Sequence, residues 1–162
     1  MVMKKILLLF VLNVLLLSCE KKIGVPSPDI QVDIIYRNQQ GLDLLNPANA
    51  PHISAADIDV YLLTLKGERR RVYKSNQYMA ENFKIDKQEN GNYVLSVLFV
   101  PDQDCLDKNR MATMYLTYKD GTEDTFVGKF SEKLLQIERL WVNDKLVWEI
   151  GSSSQRRVTI IK

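Results

Sequence analysis

The chain has 162 residues, and its 22 basic and 20 acidic side chains give a formal charge of +2 at pH 7. This near balance and a sequence pI of about 8.5 argue against a nucleic-acid-binding protein, because such domains usually have a pI above about 9. The length suits one domain of ordinary size.

The N-terminal segment has the parts of a bacterial export signal. Lys4 and Lys5 precede residues 6–17, which are all apolar except Asn13. A transmembrane helix needs about 20 apolar residues, whereas the core of a signal peptide needs roughly 7 to 15. The segment therefore predicts export.

The end of this segment, Leu16-Leu17-Ser18-Cys19, resembles the lipobox of bacterial lipoproteins. The resemblance implies that residues 1–18 are removed as a signal peptide and that Cys19 is the site of lipid attachment. Leu16 also stands where ordinary signal peptidase prefers a small residue. An uncleaved signal anchor and a chance cysteine in an ordinary signal are the alternatives. Because two or more acyl chains hold a protein stably in a bilayer, we expect the membrane to be a partner through this anchor.

Residues 19–29 have the composition of a flexible tether, with Gly24, Pro26 and Pro28 among polar residues. At about 3.1 Å per residue in a proline-rich extended conformation, a tether of this length reaches about 30 Å. Removal of the signal leaves 20 of the 22 basic residues to match the 20 acidic ones. We expect residues 30–162 to form a single folded domain of about neutral charge.

Short runs rich in Val, Ile, Leu, Tyr and Phe alternate with turn residues throughout this domain, and no long stretch has helical periodicity. The pattern predicts an all-β fold, an antiparallel β-sandwich of about eight strands. The predicted strands begin at Ile30, Asp57, Arg69, Asn92, Ala112, Asp124, Leu134 and Lys145, with a further strand near Arg157. Residues 78–85 are left open between a strand and irregular chain.

Three turn signals set the register of predicted hairpins. Asp120-Gly121 is expected to form a two-residue turn, which places Tyr115 opposite Phe126. Lys66-Gly67 is a weaker signal of the same kind and pairs position 61 with position 72.

The third turn signal is Asn143-Asp144, and it predicts one apolar face on the last hairpin. Its register pairs Trp141 with Leu146 and Arg139 with Trp148. We interpret Arg139 as stacking on Trp148, with a ligand pocket as the alternative.

Three stretches resemble small outer-membrane lipoproteins of Bacteroidetes-type bacteria: GLDLLNP at residues 41–47, TMYLTYKDGTEDTF at 113–126 and IERLWVNDKLVWEI at 137–150. The resemblance implies an immunoglobulin-like sandwich attached to the outer membrane. It implies no activity and no catalytic residues. Periplasmic or surface orientation is left open, with surface display slightly favoured.

No common hydrolase, zinc-protease or P-loop motif occurs in the sequence, so we expect no catalytic residues and no cofactor. His52, the only histidine, lies in a Pro-rich stretch without a second histidine or a nearby cysteine, and we interpret it as a loop residue instead of a ligand or base. Asp57 and Asp59 are interpreted as charges that protect an edge strand, with a cation site as the alternative.

Asp102, Asp104 and Asp107 form an acidic loop whose alternating carboxylates suit calcium, but the glycine and the bidentate glutamate of an EF-hand loop are missing. We expect a solvated turn. Cys105 is interpreted as a packed apolar group, with a reactive thiol as the alternative.

Arg69, Arg70 and Arg71 form the one dense basic patch and begin a predicted strand. Alternation would bury some of them in a central strand, so we expect an exposed or edge hairpin. Docking to anionic headgroups or glycans is the alternative. Together with an exposed aromatic pair, Tyr115 and Phe126, these arginines are the candidate binding surface, although burial of the aromatic pair under a neighbouring layer is the favoured interpretation of those two residues.

Two functions fit these observations. The first is a noncatalytic binding or adhesion module that is lipid-anchored in the cell envelope and meets a glycan or an envelope protein. The second is a structural accessory subunit that docks onto another envelope protein.

Overall fold

The computed structural model describes residues 29–72, 82–132, 136–152 and 155–162. The predicted signal peptide, Cys19 and the tether as far as residue 28 lie outside these residues. In the described part of the chain, no helix has the length and apolar character needed to cross a membrane.

The described residues form ten β-strands in two sheets, with two one-turn 3₁₀ helices at Ala55–Asp57 and Gln103–Cys105. One sheet has four strands in the order β10-β1-β5-β4, and the other has six in the order β3-β2-β6-β7-β8-β9. The strands are β1 (Gln31–Arg37), β2 (Ile58–Leu63), β3 (Arg69–Arg71), β4 (Phe83–Lys87), β5 (Tyr93–Leu98), β6 (Met111–Tyr118), β7 (Glu123–Phe130), β8 (Ile137–Val142), β9 (Lys145–Glu149) and β10 (Arg157–Ile161).

The predicted two-sheet antiparallel sandwich is confirmed, with ten strands instead of about eight. The additional strand is β4, which begins within the segment 78–85 that the sequence left open and ends at Lys87, and it pairs with β5. One pair departs from the antiparallel pattern, because β10 runs parallel to β1.

Alternating side chains of both sheets build a single core between them. In β6, Ala112, Met114 and Leu116 point inward, while the residues between them are partly exposed. Phe99 and Phe130 meet edge to face in this core, with ring centroids 5.1 Å apart. This period-two burial is why the sequence reads as strands with one buried face.

The predicted register of the β6–β7 hairpin is wrong by one residue. Tyr115 pairs with Thr125, and Phe126 pairs with Met114. The loop has three residues, 119–121, and only Gly121 has a positive φ, of 82°. This is a turn followed by a left-handed glycine, instead of a two-residue turn with two left-handed corners. Because side chains alternate, the shift puts Phe126 in the core and Tyr115 on the outer face.

The β2–β3 hairpin departs from its predicted register for the same reason. Tyr61 pairs with Arg71 instead of Val72, and Gly67 takes the left-handed position with a φ of 83°. In both hairpins the glycine closes a three-residue loop.

The β8–β9 hairpin has the predicted two-residue turn. Asn143 and Asp144 both have positive φ, of 48° and 65°, and Trp141 pairs with Leu146 as expected. A bulge then shifts the register, so that Trp148 pairs with Leu140 and is buried.

Because of this bulge, the predicted stacking of Arg139 on Trp148 is wrong. Arg139 lies opposite Glu149, and its Nε is 3.6 Å from a Glu149 carboxylate oxygen. The prediction of one buried apolar face on this hairpin is also wrong, because Leu146 and Ile150 are exposed.

The sandwich has two ends, which we name after the residues found there. The chain enters β1 at the Asp29 end, where the β2–β3 turn and residues 99–110 also lie. The Lys162 end carries the loop 38–57 and the turns at 119–122 and 143–144. β1 has seven residues, so the two ends are about 20 Å apart at about 3.3 Å per residue.

Candidate functional site

A cleft of about 370 Å³ opens at the Lys162 end. One wall is apolar and consists of Leu44, Pro51 and Ile53 from the loop between β1 and β2. The other side is polar and consists of His52, Asp57, Tyr118, Lys119, Asp120, Thr122 and Lys162. A concave surface with an apolar wall and a few polar groups is typical of small-ligand sites.

The long loop that forms the apolar wall is fixed to the sheet below it by Asp43. One carboxylate oxygen of Asp43 accepts a hydrogen bond from the Leu45 N–H at 3.0 Å, and the other accepts from the Tyr93 N–H of β5 at 2.9 Å. The Asn49 side chain also donates to the Asp43 carbonyl at 2.7 Å. Asp43 is therefore a structural residue that holds the wall in place.

Asp57 and Lys119 form an ion pair on the rim of the cleft, with 2.8 Å between Nζ and Oδ1. Ser54 donates to the same carboxylate from its backbone N–H, at 3.0 Å, and from its hydroxyl. The hydrogen bonds from Lys119 and Ser54 lower the pKa of Asp57 well below its ordinary value. Asp57 is thus an ionised, oriented acceptor at neutral pH.

Below the cleft lies a buried polar network centred on Asp124. Its carboxylate accepts hydrogen bonds from the Tyr118 hydroxyl at 2.8 Å and from Asn143 Nδ2 at 2.9 Å. The Tyr36 hydroxyl lies 3.2 Å from the same carboxylate and is hydrogen-bonded to the Tyr118 hydroxyl. The Lys162 ammonium is 2.9 Å from the same carboxylate. Every oxygen of this buried carboxylate is therefore satisfied.

The network shifts the pKa values of its members in opposite directions. Burial, followed by the neighbouring Tyr36 and Asp124, raises the pKa of Tyr118 far above its ordinary value. Burial also favours a higher pKa for Asp124, but hydrogen bonds from Asn143, Lys162 and Tyr118 outweigh it and lower the pKa. The network therefore holds two neutral tyrosines around one carboxylate anion.

The charges that line the cleft balance one another. Two cations, Lys119 and Lys162, and two anions, Asp57 and Asp120, line it. Asp120 accepts hydrogen bonds from the Thr122 hydroxyl at 2.7 Å and the Thr122 N–H at 2.9 Å, which lower its pKa. A cleft of this kind has no excess of cations to attract a strongly anionic ligand.

The predicted binding surface is not brought together as the sequence suggested. Tyr115 and Phe126 do not face each other, and Phe126 is fully buried, so the prediction of an exposed aromatic pair is wrong. Arg69 covers Tyr115 with its guanidinium carbon 4.0 Å from the ring centroid. The outer face of β6 therefore presents a capped aromatic ring.

Each arginine of β3 has an internal carboxylate partner. Arg69 forms two hydrogen bonds with Glu123, at 2.8 and 3.1 Å. Arg70 pairs with Asp102, and Arg71 pairs with Asp59. β3 is an edge strand of three exposed residues, and a short, charged edge resists pairing with another sheet.

The acidic loop and Cys105 have structural partners. Asp102 accepts from the Asp104 N–H, and Asp107 accepts from the backbone of Asn109 and Met111, both at 2.8 Å. Cys105 is buried, and this burial raises its pKa. Among the described residues, no group of three or more His, Cys, Asp or Glu side chains is placed to hold a metal ion.

A second cavity, of about 470 Å³, lies at the Asp29 end between the β2–β3 turn and Asp104. It is lined by paired arginines and by the turn residues 64–66. This cavity has no apolar wall comparable to that formed by Leu44 and Ile53, so the cleft at the Lys162 end is the stronger candidate site.

Sequence reasoning missed most of this site. His52, predicted to be a loop residue, is an exposed loop residue that lines the cleft. Tyr118 and Asp124 belong to the β6–β7 hairpin, but nothing in the local sequence connects them to Tyr36 on β1 or to Lys162, which follows β10. One usable signal was Asp124 at an inward position of a strand that otherwise buries apolar residues.

The architecture and the cleft define a two-sheet β-sandwich with a mixed polar and apolar site at one end. The chain matches no protein-family model, no curated protein and no solved structure.

Proposed function

We propose that the protein is a lipoprotein of the bacterial outer membrane that is anchored through Cys19 and acts as a noncatalytic binding module. Its ligand, a glycan or a segment of an envelope protein, enters the cleft at the Lys162 end. The lipobox resemblance of residues 16–19 supports the anchor. The concave, mixed lining of the cleft supports the binding role.

One observation carries this proposal: the cleft and the start of β1 are at opposite ends of the sandwich. A tether that leaves the body at Asp29 would direct that end toward the bilayer. The cleft, about 20 Å away along β1, would then open away from the membrane. This is the orientation that a binding site needs on either side of the membrane, and we keep surface display as the slightly favoured side.

The state of the carboxylates in the cleft argues against a general-acid role for them. A general acid must hold a proton near neutral pH, which requires a raised pKa. Asp57 and Asp120 both have lowered pKa values because of their hydrogen bonds with Lys119, Ser54 and Thr122. These carboxylates are suited to accept hydrogen bonds from a ligand.

A second candidate function is that of an accessory subunit that docks onto another envelope protein. One observation favours it. β9 is an edge strand of the six-stranded sheet, and Leu146, Val147 and Ile150 are exposed on or beside it. An exposed edge with apolar side chains is a surface that another chain can extend or cover.

The two functions are separated by capture of envelope components with three variants of the lipidated protein. His52→Trp fills the cleft without touching the core, Leu146→Glu puts a charge on the β9 edge, and Lys66→Trp adds the same bulk at the opposite end as a control. The binding-module proposal expects loss of capture only in His52→Trp. Loss only in Leu146→Glu would instead support the accessory subunit.

The anchor needs its own measurement, because it is independent of the cleft. Mass spectrometry of the native protein should find a chain that begins at a diacylglycerol-modified, N-acylated Cys19. An intact leader, or an unmodified N-terminus at another residue, would contradict the anchor.

A further inference from the structure

The side chain of Lys162 occupies a cation site at the base of the cleft. Its ammonium is 2.9 Å from an Asp124 carboxylate oxygen and 4.0 Å from the centroid of the Tyr118 ring. The ring of Tyr36 is 5.7 Å away. A carboxylate and two aromatic faces are the groups that recognise an ammonium ion in proteins.

The groups that form this site are held by contacts with the rest of the fold. Asn143 and Tyr118 fix the carboxylate of Asp124 from two directions. The Tyr36 and Tyr118 rings are held edge to face, with centroids 5.9 Å apart, and their hydroxyls are hydrogen-bonded to each other. A cation that enters the site therefore meets a preorganised set of partners.

The site opens onto the cleft, because both Tyr118 and Lys162 line it. The Lys162 side chain is 24% exposed, whereas Asp124 is only 5% exposed beneath it. Lys162 thus covers a buried anion with its own ammonium group.

We propose that the Asp124–Tyr118–Tyr36 site binds the primary ammonium group of the cleft ligand, and that Lys162 occupies it in the absence of ligand. The inference deepens the proposed function, because it assumes that the cleft is the binding site. The part of the glycan or protein segment that enters the cleft then has a primary amine at one end and a body that packs against Leu44 and Ile53. An amino sugar and a free amino-acid side chain such as that of lysine share this chemistry.

The charge balance of the site favours an ammonium ligand over an anionic one. An anion that drew Lys162 away would leave the buried Asp124 carboxylate without a cation, which is strongly unfavourable. An ammonium group that replaces Lys162 restores the same pairing. Lys162 competes at the high effective concentration of a tethered group, so its removal should expose the full affinity of the site.

The test is chemical rescue of Lys162→Ala, followed by thermal unfolding of the full chain in detergent. The variant should melt several degrees below the parent protein, and ethylammonium chloride should restore its melting temperature with saturation. Lys119→Ala is the matched control, because Lys119 pairs with Asp57 on the same cleft but is 68% exposed. Ethanol serves as the neutral control ligand, and sodium chloride corrects for ionic strength.

Saturable rescue of Lys162→Ala alone, by ethylammonium and not by ethanol, is the expected result. Absence of rescue, or equal rescue of Lys119→Ala, would overturn the ammonium site. Glucosamine and Nα-acetyl-lysine amide, each compared with its N-acetylated neutral form, then separate the two sources of the amine. If neither protects Lys162→Ala at a lower concentration than ethylammonium does, the cleft adds nothing to the ammonium site and the ligand proposal fails.

The cleft proposal and the ammonium-site proposal are contradicted by different results. Unchanged capture by His52→Trp would contradict the cleft as the envelope-binding site and leave the rescue of Lys162→Ala unaffected. If His52→Trp loses capture as expected but ethylammonium does not rescue Lys162→Ala, only the ammonium-site proposal is contradicted.

Discussion

The hydroxyl groups of Tyr36 and Tyr118 are hydrogen-bonded to each other, although the two residues belong to different sheets of the sandwich. Both hydroxyls also reach the Asp124 carboxylate, at 3.2 and 2.8 Å. The pair therefore joins β1 to β6 and β7 through polar contacts inside an otherwise apolar core. Polar groups so placed fix the sheets in one arrangement because any shift would leave a buried charge unsatisfied.

Tyr118→Phe tests how much this connection stabilises the fold. The substitution keeps the ring and removes one hydrogen bond from Asp124 and one from Tyr36. We expect a loss of about 1–3 kcal/mol in the free energy of unfolding, because a buried partner is left unsatisfied. Urea unfolding followed by tryptophan fluorescence measures it. Tyr61→Phe on the partly exposed face of β2 is the control, and equal losses in both variants would contradict a special role for Tyr118.

Asp124 should make stability depend on pH in the acid range. Its folded pKa is lowered, so its contribution to stability is complete above the unfolded pKa of about 3.9 and is lost as pH falls through the folded value. Asp124→Asn should lower the free energy of unfolding at pH 7 by about 3 kcal/mol. Below pH of about 4, the difference between the two proteins should shrink. A difference that stays constant from pH 7 to pH 3 would contradict the lowered pKa.

Strand positions were predictable from the sequence because burial of one face imposes a period of two. β6 shows this well, with inward Ala112, Met114 and Leu116 separated by partly exposed residues. Hairpin registers were harder to predict. Gly67 and Gly121 fit either the second corner of a two-residue turn or the left-handed end of a three-residue loop, and the local sequence does not choose between them.

The site was less predictable than the fold, for a physical reason. Its residues come from β1, β6, β7 and the end of β10, and the parallel pairing of β1 with β10 is what brings Lys162 beside Tyr36. No short motif encodes that pairing. The arginines of β3 were conspicuous in the sequence, yet the structure pairs each of them internally.

Arg156 should be important for attaching the first residues of the domain. Its side chain is 3% exposed, forms two contacts with Asp29 at 3.0 and 3.2 Å, and lies 4.3 Å from the centroid of the Trp148 ring. Arg156→Ala should lower the free energy of unfolding by about 3 kcal/mol, because it removes buried packing as well as charge.

Asp29→Asn is the matched partner of that variant. Asp29 is 62% exposed, and asparagine keeps an acceptor for the guanidinium, so we expect a loss of less than about 1 kcal/mol. With either residue at position 29, Arg156 still donates to the Gln31 carbonyl, which is 2.6 Å away. Equal losses in the two variants, by urea unfolding, would indicate that the ion pair and not the packing of Arg156 dominates.

Glycine substitutions in the turn between β8 and β9 separate the contribution of the polar network to stability from that of the turn backbone. Asn143 and Asp144 both have positive φ, which glycine adopts without strain. Asn143 also donates to Asp124 and accepts from the Thr125 N–H, both at 2.9 Å, and so links the turn to the network. Asp144→Gly should therefore be neutral or stabilising by about 0.5 kcal/mol, because it only relieves the left-handed backbone.

Asn143→Gly should instead destabilise the protein by about 1–2 kcal/mol, because the relief of the backbone is outweighed by two lost hydrogen bonds, one of them to a buried carboxylate. Urea unfolding of both glycine variants measures the contrast. The pH dependence provides a second readout, because loss of the Asn143 hydrogen bond should raise the pKa of Asp124 and move the acid loss of stability to higher pH. Identical stabilities for the two variants would mean that Asn143 acts only as a turn residue and that the network ends at Asp124.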